Sequence, residues 1–257
     1  MDTYLRLRQI CLIAPELRPA VDDIAAVLGT QVCYRDPSVG RYGLENALFP
    51  LGADILEVVA PTRDGTAAGR FLERSGGRGG YMVILDCNDV ERRQAHAEAL
   101  GLRVANIIRH DDYLGVQLHP RDCRAAMLEF NHTVGGEALT GPYHPAGPNW
   151  PQFARPGGTP SLLAAEVESP NPSELANHWA RIMELPVSGD GTPSIRLSHG
   201  TILFVPTEPG GAERLIGVRI GVSDIGRSLA AATQRCLRRE DGAVWICGVR
   251  LVLQQVA

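Results

Sequence analysis

The chain has 257 residues, 44% hydrophobic and 21% charged, with a formal net charge of −4. That is the balance of a water-soluble globular protein with one large or two ordinary domains. There is no basic excess to recommend a nucleic-acid or anionic-membrane partner, and no apolar run long enough for a bilayer span. All 25 basic residues are Arg, so Schiff-base chemistry on lysine and a P-loop lysine are both excluded.

The N-terminus lacks the apolar core of a secretory signal. The six cysteines (Cys11, Cys33, Cys87, Cys123, Cys236 and Cys247) are scattered, with no C-x-x-C. A reducing cytoplasm is the expected location.

In chain order, an apolar strand is expected over 4–14. A helix over 16–28 follows, with Leu17, Val21, Ile24 and Leu28 at helical spacing and Gly29 as its C-cap. Strands are expected near 31–35, 42–49 and 53–60. A connector over 62–80 carries a short helix, Ala67 to Glu73. Then the pattern returns: strand 81–87, helix 89–100, and strands near 103–109, 113–119 and 125–131.

Residues 135–160 are dense in Gly and Pro and read as a linker, with Trp150 and Phe153 pinning it to a surface. A third pattern has strand 161–168, helix 172–184 and strands near 193–198 and 201–205. The fourth has strand 215–222, helix 224–236 and strands near 243–247 and 249–256.

The first two patterns are related by a constant offset. Glu57, in Asp54-Ile-Leu-Glu57-Val-Val, lies 72 positions before Glu129, in Ala126-Met-Leu-Glu129-Phe. The same offset takes the helix-closing Gly29 to Gly101, and Gln9 to Tyr81, each in the opening strand of its copy. Three coincidences at one offset indicate a duplicated module with an acidic residue at the same structural point. The third and fourth patterns have no acidic residue in their closing strands. Leu56, Val58, Leu128 and Phe130 flank the two Glu, so each sits in a strand with a buried face. Two carboxylates sharing one cavity would titrate apart and could divide acid and base roles. The alternative is pairing with a neighbouring Arg such as Arg109 or Arg41.

This arrangement resembles the vicinal oxygen chelate superfamily, which includes glyoxalase I, methylmalonyl-CoA epimerase, extradiol dioxygenases and bleomycin-resistance proteins. The phrases Leu56-Glu57-Val-Val-Ala-Pro61 and Gly115-Val-Gln-Leu-His-Pro120, the latter followed by Ala126-Met-Leu-Glu129, are similar to the epimerase-like branch. The resemblance implies an α+β fold of four βαβββ modules paired into two glyoxalase-like domains, each a curved mixed sheet around a cleft. The domains expected are 1–134, with the site, and 161–257, degenerate, joined by the linker 135–160.

The resemblance also implies a site with Glu57 and Glu129 as catalytic groups. Its first-strand positions fall on Gln9 and on Tyr81 or Met82, where metal-binding members usually carry His. Gln9, Tyr81, His119 and Arg63 are then the substrate-binding candidates, Arg63 as a clamp for an anionic group. No cofactor is required; if a divalent ion (Mg, Mn or Zn) is bound, Gln9, Glu57 and Glu129 are its ligands. His119 also suits a purely structural role in the turn before Pro120. Two functions remain open: an isomerase, epimerase or lyase acting at a carbonyl-activated carbon, or a non-catalytic small-molecule binding protein of the bleomycin-resistance type. In either, the partner is a small molecule and the chain is a monomer or homodimer.

Overall fold

A computed structural model describes residues 3–154, 160–189, 191–208 and 210–256. The strands form two mixed seven-stranded sheets, and helices complete an α+β fold.

The first pattern gives β1 (Leu5–Ile13), α1 (Leu17–Leu28), β2 (Leu44–Leu51), β3 (Asp54–Pro61) and α2 (Ala67–Arg74). Helix α1 buries Leu17, Ala20, Ile24, Val27 and Leu28, and it stops at Gly29, whose φ of 64° is the left-handed cap anticipated from sequence. The second gives β4 (Gly80–Cys87), α3 (Val90–Ala99), β5 (Val104–His110), β6 (Tyr113–Leu118), α4 (Pro120–Cys123) and β7 (Met127–Thr133). The first sheet runs β2-β3-β1-β4-β7-β6-β5.

The later patterns give β8 (Ser161–Ser169), α5 (Pro172–Met183), β9 (Ser194–Arg196) and β10 (Thr201–Pro206), then β11 (Arg214–Val222), α6 (Ile225–Gln234), β12 (Arg239–Glu240), β13 (Ala243–Ile246) and β14 (Val249–Gln255). The second sheet runs β12-β13-β14-β11-β8-β10-β9.

Two expectations need correction. The strand expected near 31–35 is reduced to an isolated bridge, Tyr34 to Leu48. Asp36 caps a 3₁₀ turn that starts at Pro37, and its side chain accepts from the Ser38 N–H, so the backbone turns away from the sheet. The linker is more ordered than its composition suggests. It contains 3₁₀ turns at His144–Ala146 and Trp150–Gln152, and it buries Tyr143, Ala146 and Trp150. Its residues 155–159, with Pro156, Gly157 and Gly158, lie outside the described residues.

By packing, the chain divides into two compact units. One comprises Met1–Gln9, Met82–His144 and Ala164–Ile216. In it, Trp179 of α5 is fully buried, meets the Phe204 ring edge-on at 5.6 Å, and donates from Nε1 to the Cys123 carbonyl at 2.7 Å. Arg93 of α3 reaches the Met183 carbonyl at 3.1 Å, and Arg124 bridges Glu174 and Glu213.

The other unit comprises Ile10–Tyr81, Pro145–Leu163 and Gly217–Ala257. Here α1 packs on α6, with an Asp23–Arg235 ion pair. Gly79 donates to the Cys247 carbonyl and accepts from the Ile13 N–H. A Cβ at position 79 would lie 2.0 Å from the Ile13 carbonyl oxygen, so only glycine fits there. Among the described residues, no helix is long and apolar enough to cross a membrane.

Candidate functional site

Strand alternation puts Glu129, Asn131 and Thr133 of β7 on one face. In the antiparallel β6–β7 ladder, Gln117 lies directly opposite Glu129, and Gly115 opposite Asn131. The Glu129 carboxylate is 3% exposed and accepts three hydrogen bonds. Tyr113 OH and Asn131 Nδ2 donate to Oε1 at 2.8 and 3.0 Å, and Gln117 Nε2 donates to Oε2 at 2.8 Å. Gly115 makes this possible. A Cβ there would lie 2.8 Å from the Tyr113 hydroxyl and 3.2 Å from Glu129 Oε1.

The network continues outward. Asn131 Nδ2 also reaches the Tyr143 hydroxyl at 3.2 Å, and that hydroxyl donates to Gln9 Oε1 at 3.0 Å. Asn106 donates to Gln117 Oε1 at 3.2 Å. The Arg8 guanidinium lies 4.7 Å from the centre of the Tyr143 ring. Burial, reinforced by the nearby Glu129 carboxylate, holds the Tyr113 phenol well above its ordinary range, and burial does the same to Tyr143. Both phenols are therefore protonated donors at neutral pH.

Glu57, in the other unit, is also buried. It stands opposite Leu48 in the β2–β3 hairpin, and its Oε1 accepts from Asn46 Nδ2 at 2.7 Å. The Asn46 Oδ1 in turn accepts the Asp36 N–H at 2.8 Å, so the 3₁₀ turn helps to fix the amide that holds Glu57.

The remaining candidates are dispersed. Gln9 joins the Glu129 network through Tyr143. Tyr81 packs edge-on against Phe71 at 5.1 Å, and burial pushes its phenol up to about 12. In the parallel β4–β7 ladder, Met82 pairs with Met127 and Ile84 with Glu129. Met82 and Ile84 thus share the Glu129 face of the sheet, and Tyr81 points to the opposite face of β4. His119 caps α4: its Nδ1 accepts from the Arg121 N–H at 3.2 Å and lies 3.4 Å from Arg103 Nη2, which is the turn role. Arg63 is exposed, with its side chain laid over Gly43. Arg109 lies 3.6 Å from Glu91, so it is not the partner of Glu129, whose three donors are all neutral.

Sequence reasoning missed Tyr113, Gln117, Asn131, Tyr143 and Asn46. Gln117 and Asn131 had a local signal, since strand alternation sets polar residues at the spacing that faces Glu129. Tyr143 had none, because it lies 134 positions from Gln9 in a segment that reads as linker.

The superfamily resemblance raises a divalent metal, and the residues present do not fit one. Each oxygen of Glu129 and the oxygen of Gln9 already faces a hydroxyl or amide hydrogen, where a cation needs bare lone pairs. No imidazole stands at either first-strand position, and among the described residues no three His, Cys, Asp or Glu side chains are placed to hold a metal ion.

A family model described as a glyoxalase-like domain matches residues 10–183, more than half of the chain. No curated protein matches. Among solved structures, a hypothetical protein from Staphylococcus aureus is similar over 98% of this chain and 99% of its own, at 12% identity and a TM-score of 0.66. A mutant 4-hydroxymandelate synthase from Streptomyces coelicolor matches 94% of this chain and 78% of its own, at 14% identity and a TM-score of 0.63. Methylmalonyl-CoA epimerase from Streptomyces coelicolor, in complex with 2-nitronate-propionyl-CoA, matches 51% of this chain and 98% of its own, at 22% identity and a TM-score of 0.46. At these identities the likeness to the first two is one of fold.

Proposed function

The chain belongs to the glyoxalase-like domain family of the vicinal oxygen chelate superfamily, and from that membership we propose a small-molecule enzyme of the isomerase, epimerase or lyase kind, with Glu129 as its proton-transfer group. The substrate carries a hydrogen on a carbon activated by a carbonyl. The observation that carries the reading is the buried Glu129 carboxylate held among neutral donors. A carboxylate kept in a fixed rotamer by Tyr113, Gln117 and Asn131 is positioned for directional proton transfer once one of its oxygens is released to the substrate. Tyr113, kept protonated by burial beside that carboxylate, supplies a hydroxyl to the forming enolate oxygen. The proposal includes a cytoplasmic location and a monomer or homodimer, and needs no metal.

A second reading, a binding or sequestering protein, is favoured by one feature of the same centre: both oxygens of Glu129 are already engaged. One experiment separates the two. The protein is incubated in D₂O with a panel of 2-oxo acids, 2-hydroxy ketones and 2-methylacyl thioesters, and loss of the α-proton signal is followed by NMR. Deuterium wash-in by the wild type that falls by about 10²–10⁴ in Glu129→Gln is the enzymatic result. A saturable rise in melting temperature with a panel member, without wash-in, identifies the binding protein. Wash-in that survives Glu129→Gln unchanged overturns the assignment of that residue.

A further inference from the structure

Residues 134–144 follow β7 directly and return across the Glu129 centre. The loop is tightly folded on itself. Gly135 has φ 78°, and a Cβ at Gly141 would lie 2.8 Å from the Gly135 carbonyl oxygen and 3.0 Å from that of Ala138. Its outer side is exposed, with Val134 at 64%. Its inner side delivers one large buried group, the Tyr143 ring, whose hydroxyl joins Gln9 to Asn131.

The remaining ties are polar, apart from one ring stack. Arg6 donates to the carbonyls of Gly136 at 2.5 Å and Glu137 at 2.9 Å, and Arg8 donates to that of Leu139 at 2.8 Å. The His144 N–H meets Thr133 Oγ1 at 3.0 Å, and the His144 ring stacks on Tyr113 at 5.0 Å and bonds Asp112 at 2.9 Å. Tyr143 and His144 thus cover Asn131 and Tyr113, two of the three groups that hold Glu129.

We propose that residues 134–144 form a gating strap over the Glu129 centre, with Tyr143 as its latch. The inference rests on Glu129 being a working group, and it follows from access. A carboxylate 3% exposed can meet a substrate only when its surroundings move, and the strap bonds Asn131 and stacks on Tyr113, two of the three groups that hold it. The strap is the part able to do so. It contributes a single large buried side chain, and its other ties are hydrogen bonds and the stacking of the half-buried His144 ring, the profile of a segment that opens well below the free energy of global unfolding. Arg6 keeps its ion pair with Asp86 when the strap leaves, so opening strands no buried charge there. The Arg6 N–H groups now spent on strap carbonyls are then free to receive a substrate oxygen.

The test reads access to Glu129 rather than turnover, so it is independent of whether the protein is an enzyme. The intact protein is treated with a water-soluble carbodiimide and glycine ethyl ester, and amide formation at each carboxyl is followed by peptide mass spectrometry. Glu166, equally buried in β8 of the second sheet, reports global opening. Tyr143→Phe removes only the latch hydroxyl, and Gly141→Ala strains the loop without touching the centre. Both should speed labelling at Glu129 by about tenfold, the effect of one lost hydrogen bond of ordinary strength on an opening equilibrium, with Glu166 unchanged.

Unchanged labelling at Glu129 in both variants overturns the proposal. So does a rise at Glu166 in step with Glu129, which would make the strap a structural belt. Hydrogen exchange in the wild type gives a reading that needs no variant. The Val134 and His144 amides should exchange faster than those of β7, and equal protection refutes the gate.

Discussion

Glu129→Gln keeps the length and shape of the side chain and removes one charge, so its cost can be worked from the hydrogen-bond pattern. The carboxylate accepts three bonds. A carboxamide has one accepting oxygen, which can keep Tyr113 and Asn131. Its NH₂ then faces Nε2 of Gln117, a donor that stood 2.8 Å from the lost oxygen. Gln117 can turn its own amide over, but that presents a donor to Asn106 Nδ2, which now bonds the Gln117 oxygen. The clash moves along the network without disappearing. The net loss is one buried bond to a charged acceptor, about 1.5–3 kcal/mol. For a chain of this size, ~2 kcal/mol corresponds to a fall of about 4–8 °C in Tm. The assay is thermal and urea unfolding of the wild type, Glu129→Gln, Tyr113→Phe and the double variant. Because the two residues share a bond, the double variant should fall short of the sum of the singles by about 0.5–3 kcal/mol. Melting within about 1 °C of wild type in Glu129→Gln, with additive singles, would refute the reasoning, because the charge-assisted network would then be contributing nothing.

Three further outcomes are expected. In a spectrophotometric titration at alkaline pH, Tyr113 and Tyr143 should stay silent until the chain unfolds. Their folded-state pKa values lie above the ordinary 10.0, so the stability they carry is complete below that pH and is lost as pH rises beyond it. Asp122 has the opposite sign: hydrogen bonds from Arg103 lower its pKa from 3.8 to about 2. Its contribution is complete above pH 3.8 and is lost as pH falls toward 2, so Arg103→Ala should flatten acid unfolding in that window, modestly because the pair is solvent-exposed. Trp179→Phe should cost about 2–3 kcal/mol in urea unfolding, from the cavity it leaves and the Cys123 carbonyl it orphans.

The local structure of this protein was largely legible in its sequence. Apolar spacing at Leu17, Ile24 and Leu28 with Gly29 behind them is a helix and its cap whatever surrounds it, because amphipathic period and left-handed glycine are properties of a dozen neighbouring residues. The 72-residue offset between Glu57 and Glu129 likewise exposed the duplicated module and placed each acidic residue in a closing strand. What sequence could not supply were contacts made across distance. Tyr143 reads as one residue of a Gly- and Pro-rich linker, yet its hydroxyl bonds Gln9, 134 positions away, because the chain after β7 folds back over that strand. Tyr81 matches Gln9 by offset, but pleating turns it toward Phe71, and the β4–β7 register gives the Glu129 face to Met82 and Ile84. The expected strand at 31–35 dissolved into a single bridge because Asp36 and Pro37 favour a capped turn over a ladder. Offsets and periods count residues along the chain. Which face a side chain takes, and which distant hydroxyl or amide completes a buried carboxylate, depends on strand register and on where connectors return, and only the packed structure decides those.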